Sequence, residues 1–69
     1  MTQVERVSKY MEDFGSISTM EAFTELGITR LASRIHDLTR MGVSIIKTTE
    51  AGKNRYGETV HYTRYSKGA

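Results

Sequence analysis

Between Thr2 and Phe14 the apolar residues Val4, Val7, Met11 and Phe14 recur at spacings of three and four, which at about 100° per residue sets them on one face of a helix. Gly15 ends that pattern. Ser16-Ile17-Ser18 is long enough only for a linker or a small edge strand with Ile17 turned inward. Ser18 and Glu21 stand at the capping-box spacing, where a hydroxyl and a carboxylate each satisfy a free amide at a helix start, so a second helix is expected from Thr19 to Leu26. Ala22, Phe23 and Leu26 form its expected inner face, and Gly27 supplies the turn because it tolerates positive φ. Thr29 is the expected cap of a third helix over residues 29–41, with Leu31, Ile35 and Leu38 at i, i+4 and i+7 and Gly42 as its stop.

After Gly42 the helical period disappears. The segments from Val43 to Thr49 and from Thr59 to Tyr65 are rich in Val, Ile, Thr and Tyr and flank a polar stretch, residues 50–58, which predicts an antiparallel hairpin. The tail Ser66-Lys67-Gly68-Ala69 is expected to fray. Three short helices, the second and third set across a tight break, followed by a basic hairpin make the layout of a winged helix-turn-helix, an α+β fold. Its expected core is Val4, Val7, Met11, Ile17, Phe23, Leu26, Leu31, Ile35, Leu38, Val43 and Ile45.

Charge sharpens this layout. Residues 1–26 carry two basic and five acidic side chains, net −3, whereas residues 27–69 carry eight basic and three acidic, net +5, so an overall charge of +2 hides a polarised chain. The basic half holds the third helix and the hairpin. A chain of 69 residues is expected to be one domain, too small for a deep active-site cleft. With no cysteine there is neither a disulfide framework nor a thiolate metal site. The N-terminal MTQVERVSK lacks the apolar block of a secretion signal and no apolar run reaches membrane-spanning length, so a cytoplasmic protein with no membrane partner is expected.

The face of the third helix opposite its apolar stripe carries Thr29, Ser33, His36, Asp37 and Arg40, with Arg30 on the flank and Arg34 nearer the core boundary. Such a face suits groove reading, and it also suits plain solvation. The hairpin tip carries Lys53, Asn54, Arg55 and Tyr56, whose donors and cations could meet phosphate oxygens or enter a minor groove. Enzyme chemistry finds little support. His36 and His61 lie on different elements without ligand spacing, no serine sits in a nucleophile-elbow sequence, and no phosphate-binding glycine loop is present, so no cofactor is expected.

With QVERV at its start, SISTMEAFTELGITRLASRIHDLTRMG at its centre and NRYGETVHYTRY at its wing, the chain resembles a family of small phage-encoded winged helix-turn-helix domains. The resemblance spans roughly Gln3 to Tyr65, and its most specific run is GITRLASRIHDL, Gly27 to Leu38. It departs from the usual bacterial helix-turn-helix pattern at Phe23, four positions before the turn glycine, where a small residue is usual. What the resemblance implies is a winged-helix fold and binding of double-stranded DNA in the regulation of phage genes.

The expected protein is therefore a non-enzymatic duplex-binding regulator, monomeric or weakly dimeric. Arg30, Ser33, Arg34 and Asp37 are expected near base edges, Thr29 and Arg40 toward the backbone, and Lys53, Asn54, Arg55 and Tyr56 on the wing. Asp37 either accepts from cytosine N4 or holds an arginine in place, and its position one turn from Arg34 and Arg40 favours the second role. The rival reading is a winged-helix interaction module that binds a host or phage protein through the acidic first helix.

Overall fold

The computed structural model describes residues 1–68. Its elements run α1 (Gln3–Phe14), β1 (Ile17–Ser18), α2 (Thr19–Leu26), α3 (Leu31–Arg40), β2 (Ile45–Lys53) and β3 (Thr59–Lys67). The sheet is antiparallel with order β1-β3-β2. Three helices and a C-terminal hairpin with a short third strand are thus the α+β arrangement that the periodicity predicts.

Both of the first two helices start with reciprocal capping. Thr2 and Glu5 close one box around the start of α1, and Ser18 and Glu21 close the other at α2, with the Ser18 amide donating to Glu21 Oε1 over 2.9 Å. α2 then ends in a pattern that explains the tight break. Gly27 takes φ +69°, its amide donates to the Phe23 carbonyl, and the Ile28 amide donates to the Ala22 carbonyl. The first bond is that of the αL cap, and the second reaches six residues back, so the residue after the left-handed glycine folds onto the helix as an apolar contact. Ile28 accordingly sits in the core at 1% exposure, beside Ala22.

That geometry corrects one expected core position, Phe23, and the end of α1 also carries Phe14 away from the face its spacing predicts. Phe23 is 56% exposed because the short α2 turns Ala22 and Leu26 inward, and Ile28 fills the space beneath it. Phe14 is 70% exposed; at the last turn of α1 it extends past the core and stacks at a tilt on Tyr10 instead, with ring centroids 4.6 Å apart. The remaining core is Val7, Met11, Ile17, Leu31, Ile35, Leu38 and Tyr65, with Val4, Leu26, Val43 and Ile45 packed around it.

The hairpin is longer than its apolar residues predict. β2 begins at Ile45, because Val43 still closes α3 by donating its amide to the Leu38 carbonyl, and it continues through Glu50-Ala51-Gly52-Lys53. These four residues have weak strand propensity, yet they pair in register with Thr59 to Tyr62 of β3. At the other end Ser66 and Lys67, expected to fray, pair with Ile46 and Ile45, and the Gly68 amide donates to the Ser44 carbonyl at 2.7 Å. Ala69 lies outside the described residues.

Leu38 is 2% exposed at the centre of the cluster. Leu38→Ala should destabilise the domain by about 2 to 5 kcal/mol, the cost of emptying a buried leucine site. A thermal melt identical to the parent's would contradict this packing.

Candidate nucleic-acid interface

α3 starts one residue later than its expected cap. The first helical bond closes from the Arg34 amide onto the Arg30 carbonyl, which makes Arg30 the N-cap, with no side-chain bond to the helix end. Anchoring Ile28 in the core leaves Thr29 and Arg30 to bridge the turn, so Thr29 does not cap, and both side chains are exposed. No carboxylate lies within ion-pair distance of Arg30 among the described residues.

One turn on, Arg34 Nη2 lies 3.3 Å from Asp37 Oδ2. This is the second of the two roles open to Asp37: it holds an arginine. Arg34 is half-buried, and its Nε is buried without a hydrogen-bond partner, so this guanidinium is turned along the helix rather than outward. Ser33 is half-buried; His36 and Arg40 are exposed.

The hairpin tip is organised by Asn54. Its Oδ1 accepts from the amides of Tyr56 and Glu58 at 2.9 and 3.0 Å, its Nδ2 donates to Glu58 Oε1, and its own amide donates to the Glu58 carbonyl. Asn54 is therefore consumed in building the turn, and Gly57 completes it at φ +77°. Arg55 and Tyr56 stand free at the tip, Tyr56 at 83% exposure. Lys53 Nζ donates to Thr59 Oγ1 at 2.8 Å across the hairpin.

Two further cations of the basic half are spent on contacts between distant segments. Arg64 Nη1 donates to Glu21 Oε1 at 2.7 Å and to Ser16 Oγ at 3.0 Å, while its Nε pairs with Glu50 Oε1. Lys67 Nζ reaches Ser8 Oγ and Glu12 Oε1 of α1 at 2.8 and 2.7 Å. Partial burial raises the Glu21 pKa, but the Ser18 amide and the Arg64 guanidinium outweigh it and hold the carboxyl below its ordinary range. Burial likewise disfavours charged Arg64, and its bonds to Glu21 and Glu50 reverse the sign, so its pKa is raised. Sequence reading passes over this cluster because Glu21 and Arg64 meet only once β1 pairs with β3. The register held a partial signal: Glu50 pairs with Tyr62 and Thr48 with Arg64, so Glu50 and Arg64 are diagonal neighbours on one face.

Sequence reading also passes over Lys47. It lines, with His36, Thr39 and Ser44, a groove of about 540 Å³ between α3 and the start of β2. It has no ion-pair partner among the described residues. On the other side Thr29, at the entry to α3, lines a second cleft together with Lys53 and Asn54 of the hairpin. The structure thus brings Thr29 beside the wing and joins Arg34 to Asp37, while Arg30, Arg40 and Arg55 project separately. Among the described residues, no group of three or more His, Cys, Asp or Glu side chains could hold a metal ion. No helix there is long and apolar enough to cross a membrane.

A short helix, a left-handed glycine turn, a second helix with a polar outer face and a following two-stranded wing define a winged helix-turn-helix. The chain belongs to that family: residues 2–67 match the winged helix-turn-helix domain family. No curated protein and no solved structure matches the chain.

The Arg64 cluster predicts the acid limb of stability. Because the folded Glu21 pKa lies below the unfolded one, its contribution is complete above the ordinary carboxylate range, about 4.3, and is lost as pH falls through the lower folded value. Thermal melts should show Glu21→Gln less stable than the parent at pH 7, with the gap closing as pH falls below about 4 and the folded Glu21 carboxylate takes up its proton. A gap that stays constant down to pH 2 would contradict the charge-based role.

Proposed function

We propose that the chain is a non-enzymatic protein that binds double-stranded DNA, acting as a phage or prophage regulator in the cytoplasm of a bacterial host. The observation that carries this reading is the partition of the basic side chains. Arg64 and Lys67 are engaged by Glu21, Glu50 and Glu12, while Arg30 at the entry to α3 and Arg40, Lys47, Lys53 and Arg55 on α3 and the hairpin have no carboxylate within ion-pair distance among the described residues, a state shared elsewhere by Arg6 of α1. Free cations thus concentrate on the two elements that a winged helix presents to a duplex. The start of α3 adds to them, since it has no side-chain cap and a helix N-terminus favours a phosphate.

In this reading α3 lies in the major groove. Arg30 and Ser33 reach base edges, Asp37 orients Arg34, and Thr29, Arg40 and Lys47 meet the backbone. On the wing, Asn54 shapes the turn that presents Lys53, Arg55 and Tyr56 to phosphate or the minor groove. Arg30 is the residue assigned to direct reading, because a free guanidinium fork can donate two parallel bonds to guanine O6 and N7. The α1 surface suits a protein partner less well, since Glu12 is drawn to Lys67 and Asp13 to Lys9.

Fluorescence anisotropy on labelled duplexes tests the reading. Affinity should fall with salt at a log-log slope of roughly −3 to −6, about −0.9 per phosphate neutralised. Salt-independent binding, or none, would contradict it.

Two substitutions separate base reading from backbone contact. Arg30→Ala should weaken binding to a selected site by about 1 to 3 kcal/mol and relax base preference, as loss of a bidentate base contact does. Arg55→Ala should weaken selected and random duplexes alike and reduce the salt slope by about one. Parental binding by both variants would remove these residues from the interface.

A further inference from the structure

The cleft that joins Thr29 to the wing has a composition that duplex binding does not explain. Its volume is about 900 Å³, within the range of small-molecule sites. Its walls are Met20 and Phe23 of α2, Ile28 of the turn, and Val60 and Tyr62 of β3. Met20, Phe23 and Val60 are 67%, 56% and 40% exposed, an unusual concentration of apolar surface for so small a domain. Gly52 also lines the cleft, where a Cβ would come within 3.2 Å of the Tyr62 ring, so the absent side chain lets that ring lie against the strand.

The charged groups in the wall are unequal. Glu21 is committed: one of its oxygens accepts from both the Ser18 amide and Arg64. Lys53 has only a neutral hydroxyl, Thr59 Oγ1, as a hydrogen-bond partner. An apolar cleft with one uncompensated ammonium at its edge complements a ligand with an apolar body and a single negative charge. We propose that it binds a small amphiphilic anion, an aromatic carboxylate, with the ring against Phe23, Val60 and Tyr62 and the carboxylate at Lys53. The occupant would bridge α2 and the wing and draw on Lys53, lowering duplex affinity; that consequence rests on the DNA reading above, whereas the binding itself does not.

Amide and methyl NMR spectra of the whole chain, titrated in low salt with 1-naphthylacetate and with its neutral amide, test the site without DNA. Shifts should centre on Met20, Phe23, Ile28, Val60 and Tyr62. The acid should bind about two- to fivefold more tightly than the amide, the ratio an exposed ion pair supports. Lys53→Gln should erase that preference and keep the shared apolar affinity. The exposed-wall variants Phe23→Ser and Val60→Thr should weaken both probes while the spectra stay dispersed.

Equal affinity for acid and amide, shifts elsewhere, or no shifts at millimolar probe would overturn the proposal. So would concentration-dependent shifts of the same residues without probe, which would mean that a second copy covers the cleft. Duplex anisotropy at saturating 1-naphthylacetate should show weakened binding. Unchanged duplex affinity with the cleft shifts intact would overturn the coupling alone, and failure of the parent to bind duplex would count against the DNA reading alone.

Discussion

The junction at Arg64 is the constraint on which the rest of this domain depends. Glu21 accepts from the N-cap amide of Ser18 at the start of α2 and from Arg64 of β3, which in turn pairs with Glu50 of β2 and bonds Ser16 ahead of β1. One guanidinium therefore ties together the start of the helix-turn-helix, the short edge strand and both strands of the wing. Exposed ion pairs are each worth about 1 kcal/mol or less. This network is half-buried and shares its carboxylates, so its effect is chiefly geometric: it sets the wing against α2. Lys67 does the same at the far end of β3, against α1.

This division of charge gives the polarised sequence its meaning. The acidic first half is partly a set of partners for Arg64 and Lys67, and pairing these cations removes them from the surface. Apart from Arg6 of α1, the cations left without an ion-pair partner among the described residues lie on α3, at its N-terminal entry, and on β2 and the hairpin tip. The acidic half thus serves internal joints, and most of the free cations are left on one part of a small molecule.

The helices were legible because caps and stops act locally. Ser18-Glu21, Gly15 and Gly27 each carry their reason within four residues, and the periodicity of Val7 and Met11 or of Leu31, Ile35 and Leu38 places the core. Phe23 lies outside the core and Ile28 inside it because the left-handed turn at Gly27, rather than helical period, decides which of them folds inward. The length of the wing was hidden for a related reason: Glu50 to Lys53 form a strand through backbone pairing and the Asn54 turn, with no apolar alternation to announce it. At the candidate interface, the link from Asp37 to Arg34 was readable from helical spacing. The capture of Arg64 and Lys67 and the isolation of Lys47 were not, because each depends on contacts between distant segments.

The central claim is that α3 and the wing together form a duplex-binding face. Chemical-shift mapping of the whole chain against a selected duplex tests it most directly. The account predicts that the largest amide shifts fall at Thr29, Arg30, Ser33 and Arg40 on α3 and at Lys53, Arg55 and Tyr56 on the wing, with α1 unchanged. Shifts concentrated on the outer face of α1, with α3 and the hairpin tip unmoved, would contradict it.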